Sequence, residues 1–333
     1  MKMNFLEYGL GKDNPFWKYP IVLLLAWTVG MCLGMIPFGI AVGVRKGLSG
    51  NDSAYDFSEI LNFSAMGISL NLGLFLLMFA FAFALFVFIG LYQIFHNGSS
   101  YKRVINGTKR IRWGRVWVGV WSWGAMMIIF SVVDLLTNPD NFVFQFDIAK
   151  FIPLVFISLL IIPLQTTFEE ITLRGYFAQG LARLTKSRWV AFLIPSIVFG
   201  LLHAGNPEVV EHGFWLMMPH YIMSGLVWGL ISTLDDGIEL AIGGHAINNV
   251  FISLFFTYHA GAFQTYAVFE MLAMNPSIKS IFFSLFTSAL LVAFLSWKYK
   301  WDFSILNKRV EKTEEEVISE PEDEQNNTIH SQF

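Results

Sequence analysis

Charge is the scarcest property of this 333-residue chain. Only 14% of its residues are Asp, Glu, Lys or Arg, whereas 55% are hydrophobic and 34 are Phe. A soluble fold could not cover so much apolar surface with so few charges. A single cysteine, Cys32, excludes a disulfide scaffold, and a net charge of −3 without a basic domain excludes nucleic acid as a partner. The composition therefore predicts a polytopic membrane protein whose solvent is the lipid bilayer.

Long apolar runs predict an all-α polytopic fold with about eight transmembrane helices. Each run is long enough to cross about 30 Å of hydrocarbon. They lie at residues 20–43, 69–95, 115–137, 151–181, 189–207, 213–233, 238–258 and 278–297. The fourth run is the least regular, because polar residues follow its clean apolar part at 151–164.

Lys and Arg are distributed unevenly between the two ends of these runs. With a cytoplasmic N-terminus, 18 of them lie on the cytoplasmic side and four on the other side. The positive-inside rule then places both termini in the cytoplasm, with residues 1–301 as the transmembrane domain. Segment 302–333 carries nine acids against three bases, which predicts a disordered acidic cytosolic tail.

Few ionisable groups remain inside the predicted spans, where each costs about 2.5–3.5 kcal/mol on insertion scales. Away from the span ends they fall, with one exception, in three motifs: Glu169-Glu170-x-x-x-Arg174, Phe199-x-x-x-His203 and His245-x-x-x-Asn249. Glu170 and Arg174 share a helix face and can pair, which leaves Glu169 freer. The exception, His220, has no spaced partner and is interpreted as a packing residue. Taken singly, each motif also fits a structural role, such as an ion pair or interhelical hydrogen bonds.

The three motifs reach overlapping depth only if the fourth helix continues to about Arg183, kinked at Pro163. Counting about 1.5 Å per residue from the cytoplasmic helix ends then places Glu169 and His203 about 21–22 Å deep, and the third motif about 14–20 Å deep. A helix that stopped at Thr167 would instead leave the carboxylates at the cytosolic surface.

These side chains together suit attack of water on a carbonyl group. A desolvated Glu with a His can hold and deprotonate a water, and a second His with an Asn can stabilise an oxyanion. Glu, His and His could instead bind Zn²⁺. The metal-free version is preferred because no His-Glu-x-x-His pair pre-forms a metal face. Of the patterns of other intramembrane proteases, Gly-x-Gly-Asp is absent from the sequence, and Gly-x-Ser-Gly is absent from the predicted spans.

The ordered set of three motifs resembles the CAAX protease and bacteriocin-processing family, also called Abi, which includes the Ras-converting type II CAAX prenyl endopeptidases. The family-like region is about 150–260. The resemblance implies a glutamate-type intramembrane endopeptidase that needs no cofactor and acts on a prenylated protein or another membrane-associated peptide. It implies that Glu169 with His203 activates water and that His245 with Asn249 stabilises the oxyanion. The supporting residues are Glu170, which could also take part, Arg174 and Phe199.

Two other functions remain open at this point. In a non-catalytic immunity or signalling protein of the same family, the polar motifs would hold helices together and the acidic tail would dock a cytosolic partner. A transporter with a proton relay would need repeat symmetry, which the hydropathy does not show. The wide bacterial occurrence of the family favours a bacterial inner membrane, and the sequence carries no signal for an oligomeric state.

Overall fold

The computed structural model describes residues 4–49 and 63–312, and these residues are mostly helical. The α-helices are α1 (Lys18–Leu25), α2 (Met31–Gly34), α3 (Ile36–Ser49), α4 (Leu70–Phe95), α5 (Lys102–Asn106), α6 (Trp113–Thr137), α7 (Ile148–Leu160), α8 (Ile162–Glu169), α9 (Ala178–Thr185), α10 (Arg188–Leu202), α11 (Pro207–His212), α12 (Phe214–Leu234), α13 (Glu239–Phe255) and α14 (Ile278–Tyr299). Short 3₁₀ helices lie at Glu7–Leu10, Pro139–Asn141 and Phe303–Asn307, and π-helical stretches lie at Ala26–Gly30 and Glu170–Phe177.

Six helical segments among the described residues are long and apolar enough to cross a membrane. They are Lys18–Leu48, Leu70–Phe95, Trp113–Thr137, Ile148–Thr185, Phe214–Leu234 and Ile278–Tyr299. The two remaining predicted spans correspond to α10 and α13, which have 15 and 17 residues and fall short of the usual span length of about 20. The all-α polytopic prediction is confirmed, with six helices of spanning length in place of the eight expected.

The fourth helix continues through the first motif, as the depth argument required. Its segments α7, α8, the π-helical stretch and α9 follow one another from Ile148 to Thr185. The only interruption in this stretch is at Ile161, two residues before Pro163. Because proline lacks a backbone N–H and clashes with the preceding turn, the helix bends there without ending.

Close packing around α13 sets the centre of the bundle. This helix lies along α6 and also contacts α8, while α10 lies along α12. A Cβ atom on Gly243 would overlap the carbonyl of Val116, and one on Gly119 would overlap the carbonyl of Leu240. Glycine is therefore required on both sides of the α6–α13 contact, as expected from small residues that let helices approach.

A small sheet, which the sequence analysis did not predict, lies beyond α13. Strand β1 (Phe142–Phe144) pairs antiparallel with β3 (Phe269–Met271), and β3 pairs parallel with β2 (Phe256–Tyr258), giving the order β1-β3-β2. The strands lie at the end of the bundle opposite the turn between α12 and α13, because β2 directly follows α13.

Buried charges and the two chain ends close the opposite end of the bundle. The backbone N–H groups of Asn4 and Phe5 donate to Asp236 at 2.9–3.1 Å. Arg188 pairs with Glu7, and Gln179 Nε2 donates to the Phe5 carbonyl at 2.8 Å. This end also carries Arg112, Arg115 and Arg183.

The first part of the predicted tail is ordered. Residues 303–307 form a 3₁₀ helix, and Leu306 and Val310 are buried. The backbone of Arg309 forms an isolated antiparallel β-bridge with that of Ser187. Residues 303–310 are therefore not disordered as predicted, because apolar side chains of this segment pack on the bundle. Residues 313–333 lie outside the described residues.

Asp235 and Asp236, in the turn between α12 and α13, predict a pH dependence of stability. Burial raises the pKa of each carboxyl to about 6. The folded state then binds protons more tightly than the unfolded state, so the free energy of unfolding falls as pH rises from about 4 to about 6. We expect Asp236→Asn to make this fall shallower in thermal unfolding of the detergent-solubilised protein.

The matched control is Asp302→Asn, because Asp302 is exposed and hydrogen bonds to Ser304 lower the pKa of its carboxyl, so that it titrates below the pH range from about 4 to about 6. This variant should keep the wild-type slope. A slope in Asp236→Asn equal to that of the wild type would contradict the assignment.

Candidate active site

The first motif contains an ion pair that is buried completely. Arg174 Nη1 lies 2.9 Å from Glu170 Oε1, and neither side chain is more than 1% exposed. The guanidinium group also lies over the ring of Phe199, with its Cζ atom 3.8 Å from the ring centroid. A buried charge needs such a partner, so the pairing predicted from the i,i+4 spacing is observed, within the π-helical stretch.

His245, from the third motif, lies between the two adjacent glutamates. Its Nδ1 is 2.7 Å from Glu170 Oε1, and its Nε2 is 3.7 Å from Glu169 Oε2. Glu170 Oε1 is also bonded to Arg174 Nη1, so in this contact the carboxylate accepts and His245 Nδ1 donates. The orientation of the ring then directs Nε2 towards Glu169.

Glu169 carries the unpaired carboxylate that the sequence analysis predicted. The residue is 6% exposed, and its Oε2 is buried without a hydrogen-bond partner. The 3.7 Å separation from His245 Nε2 exceeds a hydrogen bond. The two atoms therefore face each other without a direct hydrogen bond.

Asn249 is oriented by a residue that the sequence analysis missed. Its Nδ2 donates to Gln165 Oε1 at 3.2 Å. Gln165 is buried and lies one helical turn before Glu169 on α8. The signal was present in the sequence, since Gln165 is a polar residue in an apolar run and has i,i+4 spacing from Glu169.

His203 stands at the end of α10, where the helix finishes at Leu202 and not at the predicted residue 207. Its Nδ1 donates to the Phe199 carbonyl at 2.8 Å, and its ring stacks on Tyr221 with centroids 4.6 Å apart. Among the described residues, the histidine within 4 Å of Glu169 is His245. The expected pairing of Glu169 with His203 is therefore replaced by one with His245.

One cavity joins the second and third motifs. Its volume is about 380 Å³, and Gln165, Phe199, His203, His245 and Asn249 all line it. Much of the remaining wall comes from the segment after α10 and from residues 256–274. Polar residues from these elements, which the sequence analysis did not single out, complete the wall: Asn206, Glu208, Tyr221 and Thr257.

A zinc centre needs at least three donor side chains that lie close together. Among residues 4–49 and 63–312, no three His, Cys, Asp or Glu side chains converge closely enough to hold a metal ion. Both ring nitrogens of His245 face carboxylates of the first motif, and the Nδ1 of His203 is bonded to a backbone carbonyl. His220 lies apart from this group and bonds Ser284 Oγ at 3.0 Å.

Comparison with known proteins supports the predicted resemblance. Residues 148–251 match the family model described as type II CAAX prenyl endopeptidase Rce1-like, and this range holds all three motifs. The chain is also 29% identical over 202 residues to the uncharacterized protein YyaK of Bacillus subtilis (strain 168), an alignment that covers 60% of this chain and 67% of that protein. No solved structure matches the chain.

The motifs, the membrane-spanning helices and the family match agree. The resemblance predicted from the three motifs is confirmed: this chain is an integral multi-pass membrane protein, and its residues 148–251 match the Rce1-like family model.

Proposed function

We propose that this protein is an intramembrane endopeptidase that hydrolyses a peptide bond with an activated water molecule. One observation carries the proposal: a buried, unpartnered carboxylate oxygen of Glu169 faces His245 Nε2 at 3.7 Å. A water between these two acceptors donates a hydrogen bond to each, and its lone pair is then available for attack. The Rce1-like match supports the assignment to the peptidases at family level.

Glu169 is the general base in this mechanism. It takes a proton as the water oxygen bonds to the carbonyl carbon, and it returns a proton to the leaving amine as the C–N bond breaks. His245 positions the water. The Glu170–Arg174 pair acts behind His245, since it fixes the ring through Nδ1 and so fixes the direction of Nε2.

Asn249 supplies the hydrogen bond to the developing oxyanion. One of its Nδ2 hydrogens is used by Gln165, and the other remains for the substrate. Preorganised donors of this kind stabilise the transition state because they need no reorientation during the reaction. His203, on the cavity wall, keeps Nε2 for the substrate because Nδ1 is held by the Phe199 carbonyl.

The substrate is a membrane-associated peptide, with or without a prenyl group. The cavity lies towards the sheet end of the bundle, and its walls include Phe256, Phe263, Met271 and Met274. On the predicted orientation, this end is the one with few basic residues. The Bacillus subtilis relative supports the proposal that the protein resides in a bacterial cell membrane.

Glu169→Gln tests the general base directly. The substitution keeps the size of the side chain and removes the basic oxygen, so we expect cleavage of membrane-associated peptides to fall by about 10²–10⁴-fold. Turnover by the purified protein measures the effect. The matched control is Glu270→Gln on β3, which should leave turnover unchanged. Cleavage by Glu169→Gln at the wild-type rate would refute the mechanism and favour a non-catalytic membrane protein.

A chelator separates the metal-free mechanism from a zinc mechanism. We expect EDTA to leave cleavage unchanged, because the donor set around Glu169 and His245 does not form a zinc site. Prenylated and unprenylated peptides assayed in parallel identify which substrate is cleaved. Inactivation by EDTA that added zinc reverses would overturn the expectation.

Asn249→Ala tests the oxyanion donor. We expect kcat to fall by about 10²–10³-fold with little change in KM, because the donor acts mainly in the transition state. Asn248→Ala is the comparison on the same helix, since Asn248 contacts Asn249 through its own Nδ2, 3.1 Å from Asn249 Oδ1, but does not supply the proposed donor. Its effect should be at least tenfold smaller. Equal losses in both variants would argue for a packing role of Asn249.

A further inference from the structure

A second buried carboxylate lines the same cavity, and the proposed mechanism does not use it. Glu208 lies on α11 and is 7% exposed. It reaches the wall that also contains His203, Asn206 and Tyr221. Sequence motifs gave no reason to select it, since it belongs to none of the three.

Neutral groups satisfy only one of the two oxygens of Glu208. Tyr221 donates its hydroxyl to Oε1, and Asn206 Nδ2 lies 3.3 Å from the same atom. The second oxygen, Oε2, is buried without any hydrogen-bond partner. The contacts with Tyr221 and Asn206 use only Oε1, so they do not account for the burial of Oε2.

No lysine or arginine is among the described residues that line the cavity. A carboxylate removed from water is costly unless an opposite charge or several donors compensate it. Nearby apolar side chains, including Phe263, Met271 and Met274, suit the aliphatic stem of a long cationic side chain. The wall thus combines a buried negative group with an apolar approach to it.

We propose that Glu208 forms a subsite that binds the cationic side chain, lysine or arginine, of a substrate peptide a few residues from the bond to be cleaved. This inference rests on the proposed function, because it assigns a substrate preference to that cavity. The stack of Tyr221 on His203 connects the subsite to the catalytic wall. A bound cation there therefore positions the peptide across His203.

Binding without turnover tests the subsite separately from catalysis. The full chain carrying Glu169→Gln is mixed with short, fluorescent, N-acetylated apolar peptides in a neutral detergent. Each peptide carries Lys, Arg, norleucine or Glu at one position, and the series places this residue at each position of the peptide in turn. At the position that reaches the subsite, we expect Lys and Arg to bind about tenfold tighter than norleucine, with Glu the weakest. A control peptide with a free amino terminus and no Lys or Arg shows whether the subsite binds a terminal amine as well as a cationic side chain.

Adding Glu208→Gln should reduce the preference for Lys over norleucine to less than about twofold. Glu211→Gln is the matched control on the same helix, because Glu211 is exposed and accepts from Tyr258 at 2.8 Å; it should keep the preference. Tyr221→Phe removes the hydroxyl and retains the stacked ring, so it should also keep the preference. This last variant guards against a loss caused by misfolding around Glu208.

The outcomes separate the two proposals. Equal binding of Lys and norleucine peptides at every position, or a preference that survives Glu208→Gln, would overturn the subsite. Cleavage by the wild-type protein without any cation preference would leave the endopeptidase standing and refute the subsite. A cation preference that depends on Glu208, in a protein that cleaves none of the peptides, would establish the subsite and refute the proteolytic function.

Discussion

A buried arginine must be compensated, and the pairing of Arg174 with Glu170 determines the arrangement around it. Glu170 is paired with Arg174 and, through the same oxygen, accepts the Nδ1 hydrogen of His245. That hydrogen bond fixes the orientation of the ring. The opposite nitrogen then faces Glu169; Oε2 of each glutamate is buried without a hydrogen-bond partner. The two glutamates thus differ in that Glu170 is bonded to both Arg174 and His245, whereas Glu169 only faces His245 Nε2.

The backbone supports this division between two adjacent residues. Glu169 ends α8, and Glu170 begins the π-helical stretch that runs to Phe177. Such stretches are rare and occur often at functional sites, because the wider turn changes the direction of the side chains. The helix bends before it, at Ile161 and Pro163. The first motif therefore lies in a segment whose geometry differs from that of a regular spanning helix.

The two ends of the bundle differ in what surrounds their buried polar groups. At the basic end, the N-terminal segment and the turn at Asp235 and Asp236 are joined by buried ion pairs and hydrogen bonds, although Glu7 and Arg188 keep atoms without a hydrogen-bond partner. Towards the sheet end, Glu208 has an unpartnered oxygen and lines a cavity of about 380 Å³. An unsatisfied acceptor on a cavity wall is available to a ligand. The position of Glu208 on this wall, and not its missing partner alone, therefore makes it a candidate to bind a ligand.

The sequence by itself determined the membrane class, the three motifs and the Glu170–Arg174 pair, because hydropathy and i,i+4 spacing are local properties of the chain. It could not determine which histidine faces Glu169, since that contact joins residues 76 positions apart in sequence and depends on how each helix is rotated. The sequence could not predict the contacts of Gln165 and Glu208 for the same reason, because they too join different helices. Only tertiary packing decides which polar side chains meet, because burial and hydrogen bonding are satisfied between helices.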